Sequence, residues 1–327
     1  MSMLNVINLW NTLDTGTKYD EYQLRNTTSK SSGADNEKTW AENIKKNIKT
    51  YGENDFVYKF NSLGFRSSEF DNNDPIKILY LGCSVTEGTG LPIEHIWASF
   101  LNNQISEEIG KPIKLYNVSR GGNSIDTIVR HAYLTIKNNF KPDFVFFMMP
   151  SITRKEVIID SKSLNRMTTF NFLPNFTPPS DSMAEIRKAH NALLNMVNYR
   201  DSYNSAFKNL LFMKHFLMTE QINWAFAFWS GDFNPKTIFN AIESNNNLDI
   251  NIPKELEDHH IPGALVFDKD CDRYYISPRF FEKPFPYVIA RDGLHWGPNS
   301  HFNFSKQIYS CLIKKPYFQE LLEQWKK

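Results

Sequence analysis

Two short stretches hold residue types that can do acyl-transfer chemistry. In LGCSVTEG, residues 81–88, a serine follows an apolar run and a glycine. A hydroxyl there is held at the carboxyl end of a buried strand, and the following backbone N–H groups point toward whatever it attacks. In DGLHWGPNSH, residues 292–301, Asp292 and His295 stand three apart in a loop. At that spacing both can face one pocket, the carboxylate fixing the imidazole tautomer and stabilising the imidazolium. Each motif alone is weak: strand-end serines are common, and an Asp-x-x-His pair can simply cap the next helix.

Such a serine needs a rigid strand behind it, and Ile78, Leu79, Tyr80 and Leu81 supply an apolar run ended by Gly82. Trp97, Phe100, Leu101 and Ile105 recur at helical spacing and predict an amphipathic helix after it. A second unit has the strand IKLYNVS, a turn at Gly121-Gly122, and a helix burying Ile125, Ile128, Val129, Ala132 and Ile136, with Asn123 or Ser124 as N-cap. DFVFFMMP and NWAFAFWS read as third and fourth strands. The last helix runs from about Ser300 to Lys314, with Phe304, Ile308, Cys311 and Leu312 inward and Pro316 marking its end. Strands alternating with helices imply a parallel sheet covered on both faces, with any site at the carboxyl ends of its strands.

Around these units lie less regular segments. Residues 24–38 are polar and read as a loop or flexible connector. The first twenty residues, with Leu4, Val6, Ile7, Leu9 and Trp10, read as an arm that folds back or packs on a partner. Ile158 to Thr219 shows helical stretches but no clear strand, and reads as a helical insertion near the site's mouth. About 232–290 reads as loops with a short strand at ALVF. The expected division is an arm, linker and lead-in over 1–74 and a domain over 75–327 with its insertion at about 158–219.

Together, the strand-end serine and the late Asp-x-x-His resemble the SGNH (GDSL-like) hydrolases. NVSRGGNS, residues 117–124, is similar to that family's second block, in which an Asn precedes the oxyanion-hole glycine, here Gly122. NSLGFR, residues 61–66, resembles a segment that precedes the serine block in a subset of the family, and HWGPNSH matches the family's glycine and histidine before the last helix. The resemblance implies the SGNH hydrolase fold, a flavodoxin-like three-layer α/β/α sandwich with a central parallel sheet, here with a helical insertion. It implies a serine esterase with Ser84 as nucleophile, His295 as base, Asp292 as its orienting acid, and no cofactor or metal. The family's third block departs: PSITR, residues 150–154, puts Ile152 near the slot of an Asn that donates to the oxyanion. Ile has no donor. The hole then rests on the Ser84 and Gly122 N–H groups, with Ser151 or Thr153 as substitutes.

The resembling family includes carbohydrate deacetylation and hydrolysis of small acyl esters or lipids, so the expected partner is a small-molecule or carbohydrate ester. Trp229, Tyr274, Tyr275, Phe280, Phe281 and Trp296 suggest sugar stacking, against ordinary anchoring of loops. Acyl transfer to a sugar would use the same three residues. The alternative is a non-catalytic carbohydrate-binding or structural assembly component, for example phage-particle associated, motivated by the arm and the missing Asn.

Charge and composition narrow the field. With 37 basic against 36 acidic residues and no long basic run, nucleic acid and anionic membranes are not expected partners. The apolar runs fall short of the roughly 20 residues of a membrane span. No secretory leader is visible, so the expectation is a soluble protein, cytoplasmic or part of a phage or surface assembly, with an oligomer or larger assembly possible through the arm. Cys83, Cys271 and Cys311 are too few and scattered for a disulfide framework or thiolate metal site.

Several sharper readings fail. Cys83 would face away from the site if Ser84 faces it, since adjacent side chains on a strand diverge. DKDCDR, residues 268–273, has Arg273 where a calcium loop needs Gly and Arg279 where it needs Glu. His259-His260 read as a solvated turn, and GCSVTEG is neither a P-loop nor a G-x-S-x-G elbow. His301 reads as a capping or packing residue, and Arg66 and Arg154 as salt-bridge partners.

Overall fold

A computed structural model describes residues 24–161, 166–172, 184–196, 199–228, 256, 258, 259, 261, 287 and 289–327. The expected arm, the ALVF strand, the DKDCDR stretch and the aromatics Trp229, Tyr274, Tyr275, Phe280 and Phe281 lie outside them.

The sheet is built from β3 (Ile78–Leu81), β4 (Tyr116–Asn117), β5 (Phe144–Met149) and β8 (Asn223–Phe228), all parallel, in the order β4-β3-β5-β8. Counted along the chain that order is 2-1-3-4, the flavodoxin-like winding, whose switch point lies between β3 and β5. Parallel neighbours require crossovers, and helices supply them. α3 (Trp97–Ile109) links β3 to β4, and α4 (Ile125–Lys137) links β4 to β5.

Alternation along each strand divides the core. Tyr80, Phe146, Met148 and Ala227 face one layer, formed by α3, α7 (Pro298–Leu312) and α8 (Pro316–Lys326). Leu81, Val145, Phe147 and Phe226 face the other, formed by α4 and α6 (Tyr199–Thr219). Phe146 and Phe147 are both fully buried although they point oppositely, each contributing about 2–3 kcal/mol. The chain is thus the three-layer α/β/α sandwich expected from its sequence.

Four expectations need correction. First, residues 24–38 are not a loose connector: β1 (Thr28–Ser29) pairs antiparallel with β2 (Tyr58–Lys59), and α1 starts within the segment at Glu37–Lys45, capped by Asn36. Asp35 there is fully buried. Second, the segment from 158 is not helical at its start. β6 (Lys155–Ser161) and β7 (Arg166–Phe172) form an antiparallel hairpin before α5 (Ala184–Leu194) and α6. Val157, Ile158 and Ile159 form a short apolar run whose periodicity cannot separate strand from helix. Third, the strand expected over IKLYNVS shrinks to two residues. Fourth, the helix that ends before Pro316 is not the last: Pro316 opens α8, since proline is tolerated in a first helical turn. Among the described residues, no helix is long and apolar enough to cross a membrane.

One histidine joins two layers. α3 begins without a side-chain cap of its own, and His301 Nδ1 accepts the Trp97 N–H at 2.9 Å. Burial, with a smaller contribution from His295, pushes the His301 pKa down to about 3. An unfolded histidine binds a proton near pH 6.5, one the folded site refuses, so this stability is present above about 6.5 and is lost as pH falls toward 3. Asn offers an acceptor in a similar place and does not titrate. Between pH 7 and pH 5, urea unfolding of His301→Asn should therefore lose about 2 kcal/mol less than the native chain loses. Parallel losses in the two proteins would contradict a neutral His301.

Candidate active site

The serine is placed by a tight turn. β3 ends at Leu81, Cys83 caps the short helix α2 (Ser84–Glu87), and Ser84 is its first residue. Gly82 permits this turn, since a Cβ there would lie 2.0 Å from Thr86 Oγ1. Side chains from three other segments then pin it. Arg66 donates to the carbonyls of Gly88 and Leu91, both at 2.7 Å, in place of the expected salt bridge. Asn117 Nδ2 donates to Thr86 O at 2.8 Å, and Asn123 Nδ2 to Gly82 O at 3.1 Å. Cys83 is fully buried, in the core layer that also holds Val85 and Ile96.

The histidine comes from the loop before α7. Ala290 N–H donates to His295 O at 3.2 Å and Gly293 N–H to Ala290 O at 2.9 Å, with Gly293 at φ 68. Asp292 Oδ1 accepts the N–H groups of Leu294 and His295, each at 3.0 Å. Its Oδ2 bonds His295 Nδ1, and His295 Nε2 lies 2.8 Å from Ser84 Oγ. Burial alone would raise the Asp292 pKa, but the His295 ring and the two N–H groups outweigh it and hold the carboxyl below its usual range. The imidazole therefore rests on a fixed, ionised acceptor. Ser84, His295 and Asp292, the three residues singled out from sequence, form one hydrogen-bonded chain.

The residues assigned to an oxyanion hole are less uniform. Gly122, at φ 83, occupies a turn closed by Asn123 N–H on Arg120 O at 3.2 Å, where a side chain would be strained. Glu87 Oε2 accepts the Gly121 N–H at 2.7 Å and so ties this turn to the end of α2. Glu87 was not read from sequence; in LGCSVTEG it looks like any helix-end acid. Ser151 and Thr153 hydrogen-bond to each other at 3.0 Å, so one hydroxyl proton of the pair is already committed. Ile152, between them, is 2% exposed and packs in the core layer of α4 and α6.

Other candidates are structural. Ser124 caps α4, accepting the Thr127 N–H at 3.2 Å. Arg154 donates to Asn123 O at 3.4 Å. His259 does sit in a turn, but it is half-buried, its ring stacked on Trp224 at 4.4 Å. Trp296 is buried against His301 and Phe304, an anchor of the loop and not a stacking platform. Sequence reading also missed Arg291 in this loop and Asp35, Asn43 and Gly90, which grip it from behind. Asn43 Nδ2 donates to Arg291 O at 2.9 Å.

No protein-family model matches the chain, and no curated protein matches it in sequence. Solved structures share its outline loosely. TesA is 13% identical, with a TM-score of 0.40 over 73% of this chain and 98% of that one. LAE5, an alpha/beta hydrolase enzyme from the metagenome of Lake Arreo, Spain, is 12% identical, with a TM-score of 0.37 over 72% and 94%.

The grip from behind can be tested at Gly293. A Cβ there would meet Asn43 Oδ1 at 2.4 Å, and its φ of 68 disfavours any L side chain. Gly293→Ala should lower unfolding stability by more than the roughly 1–2 kcal/mol of backbone strain alone. Adding Asn43→Ala should remove the excess. Equal costs in both backgrounds would mean that the loop does not close on α1.

Proposed function

We propose that the chain is a serine hydrolase of the SGNH type that cleaves a carboxylic ester, including an O-acetyl group on carbohydrate, through an acyl-serine intermediate. The observation that carries this reading is the Ser84–His295–Asp292 chain, with Ser84 Oγ 2.8 Å from His295 Nε2. That is within the reach a general base needs.

In the proposed cycle, Ser84 Oγ attacks the ester carbonyl while His295 Nε2 takes its proton. The tetrahedral intermediate collapses as His295 returns that proton to the departing alcohol, leaving an acyl group on Ser84. His295 then deprotonates a water that attacks this ester, and the proton goes back to Ser84 Oγ as the acid leaves. Asp292 holds the productive tautomer and balances the imidazolium charge. The Ser84 and Gly122 N–H groups would bind the oxyanion, with whichever of Ser151 and Thr153 keeps its proton free as a third donor. Neither a metal nor an organic cofactor enters these steps.

Labelling with a fluorophosphonate is the direct test. Native protein should label and hydrolyse p-nitrophenyl acetate, Cys83→Ala should retain both properties, and Ser84→Ala should lose both while staying folded. Equal labelling of native chain and Ser84→Ala would sink the proposal and leave carbohydrate binding without catalysis as the reading to pursue. Asp292→Asn should lower kcat by about 10,000-fold, since the amide can favour the wrong tautomer. If one hydroxyl of the Ser151 and Thr153 pair is a donor, removing it should lower kcat about 100-fold with KM little changed.

A further inference from the structure

We infer that Asp35 is a positioning residue: through Arg291 and Tyr58 it holds the Ser84 turn and the Asp292–His295 loop in register, making residues 30–58 a strap behind the site. This role rests on the hydrolase reading above.

The strap converges on one buried carboxylate. Asp35 is 0% exposed and Arg291 1%. Arg291 Nε donates to both Asp35 oxygens at 3.0 Å, and Nη2 to Oδ2 at 2.7 Å. The remaining guanidinium donors meet the carbonyls of Lys30, Gly52, Glu53 and Phe56. The cation also lies 3.8 Å from the centre of the Phe56 ring and 4.5 Å from that of Trp40. Trp40 Nε1 and the Tyr58 hydroxyl complete the shell of Asp35. Burial, reinforced by the Asp35 charge, pushes the Tyr58 pKa well up, so its hydroxyl stays protonated and donates to Asp35.

From this node two arms reach the two halves of the site. Tyr58 Oη accepts the Gly90 N–H at 2.7 Å, and Gly90 O accepts the Arg291 N–H at 2.8 Å. Gly90 is tied to the serine turn, since Thr89 N–H and Gly88 N–H both donate to Ser84 O, at 3.0 and 2.9 Å. Arg291 immediately precedes Asp292, and Asn43 of α1 holds its carbonyl. The two backbones approach so closely that a Cβ on Gly90 would stand 2.9 Å from Ala290 Cβ and 3.0 Å from Arg291 N. A buried ion pair is weak ground for stability as such, because its desolvation offsets much of its attraction. Bonds that run from one carboxylate to both reacting segments instead fix a distance, and a shift of about 1 Å in such a site can cost 100-fold in rate.

Two variants of the full chain test this, Asp35→Asn and the milder Asn43→Ala, with folding checked by circular dichroism. Each is read by p-nitrophenyl acetate kinetics and by the low-field proton resonance of His295 Nδ1–H. We expect kcat to fall about 100-fold in Asp35→Asn and about 10-fold in Asn43→Ala with KM within about two-fold, and the resonance to broaden or vanish in both. Folded variants with native kcat and an unchanged resonance would overturn the role. If Asp35→Asn does not fold, Asn43→Ala decides alone. If the native chain hydrolyses nothing, the hydrolase reading fails, while the resonance still tests whether the strap places His295.

Discussion

A hydroxyl and an imidazole 211 residues apart in the chain stand 2.8 Å from each other. Nothing covalent enforces that distance, so the packing must. The parallel sheet does the coarse part: its winding order brings the carboxyl ends of β3 and β5 together at the switch point, and Ser84 follows β3 directly. The loop before α7 must then be delivered to the same edge. α7 packs across α3, and His301 on the first turn of α7 accepts the Trp97 N–H at the start of α3. The serine's next helix and the histidine's next helix are thereby fixed to each other.

The fine part is polar, and the polar groups are spent on backbone. Arg66, Asn43, Asn117 and Asn123 all bond carbonyls of the turn or loop that carries a site residue. A carbonyl held by a buried side chain is hard to move, because leaving either group unsatisfied costs about 1–3 kcal/mol. The site is thus rigid on its buried side while His295, whose side chain is 21% exposed, opens toward solvent. Rigid support with an accessible edge suits the proposed chemistry, in which a hydroxyl must meet its base without reorganising.

How far this could be read from sequence depended on whether a residue's role is local. Ser84, Asp292 and His295 announce themselves through short spacings, and β3, α3, α4 and α7 through apolar periodicity. Asp35 does not, because its significance comes from Arg291, 256 residues away, and RNTTSKSSGAD carries every local mark of a loop. Arg291 offered a clue: an arginine between Ala290 and Asp292, after the apolar YVIA, is costly to bury without a partner. β4 was overestimated because Ile113 and Leu115 continue the apolar pattern outside the pairing. The β6–β7 hairpin was missed because the short apolar run Val157–Ile159 fits helix as well as strand, and β7 holds Thr168, Thr169, Phe170 and Phe172, strand formers without clean alternation.

The departure at the third block has a physical counterpart in how the chain leaves β5. The family pattern implies a donor side chain at the slot where Ile152 stands, and here that side chain is turned into the core. The chain then runs directly into β6, which is tied back to α4: Arg130 Nη2 bonds Glu156 Oε1 at 2.6 Å, and Asp126 Oδ2 accepts the Glu156 N–H at 3.2 Å. Ile152 anchors the stretch between Ser151 and Thr153, whose hydroxyls bond each other, and the Arg130–Glu156 ion pair holds the chain just after them. What an amide would have provided as a fixed N–H donor is replaced by a hydroxyl pair with one proton committed to its own bond and one left to rotate. A hole of two backbone donors plus such a pair stabilises an oxyanion less than three fixed donors would, each missing donor being worth about 100- to 1,000-fold. On the proposed reading, the local exchange of a donor for a packing anchor favours slower turnover with a firmly rooted hairpin beside the site.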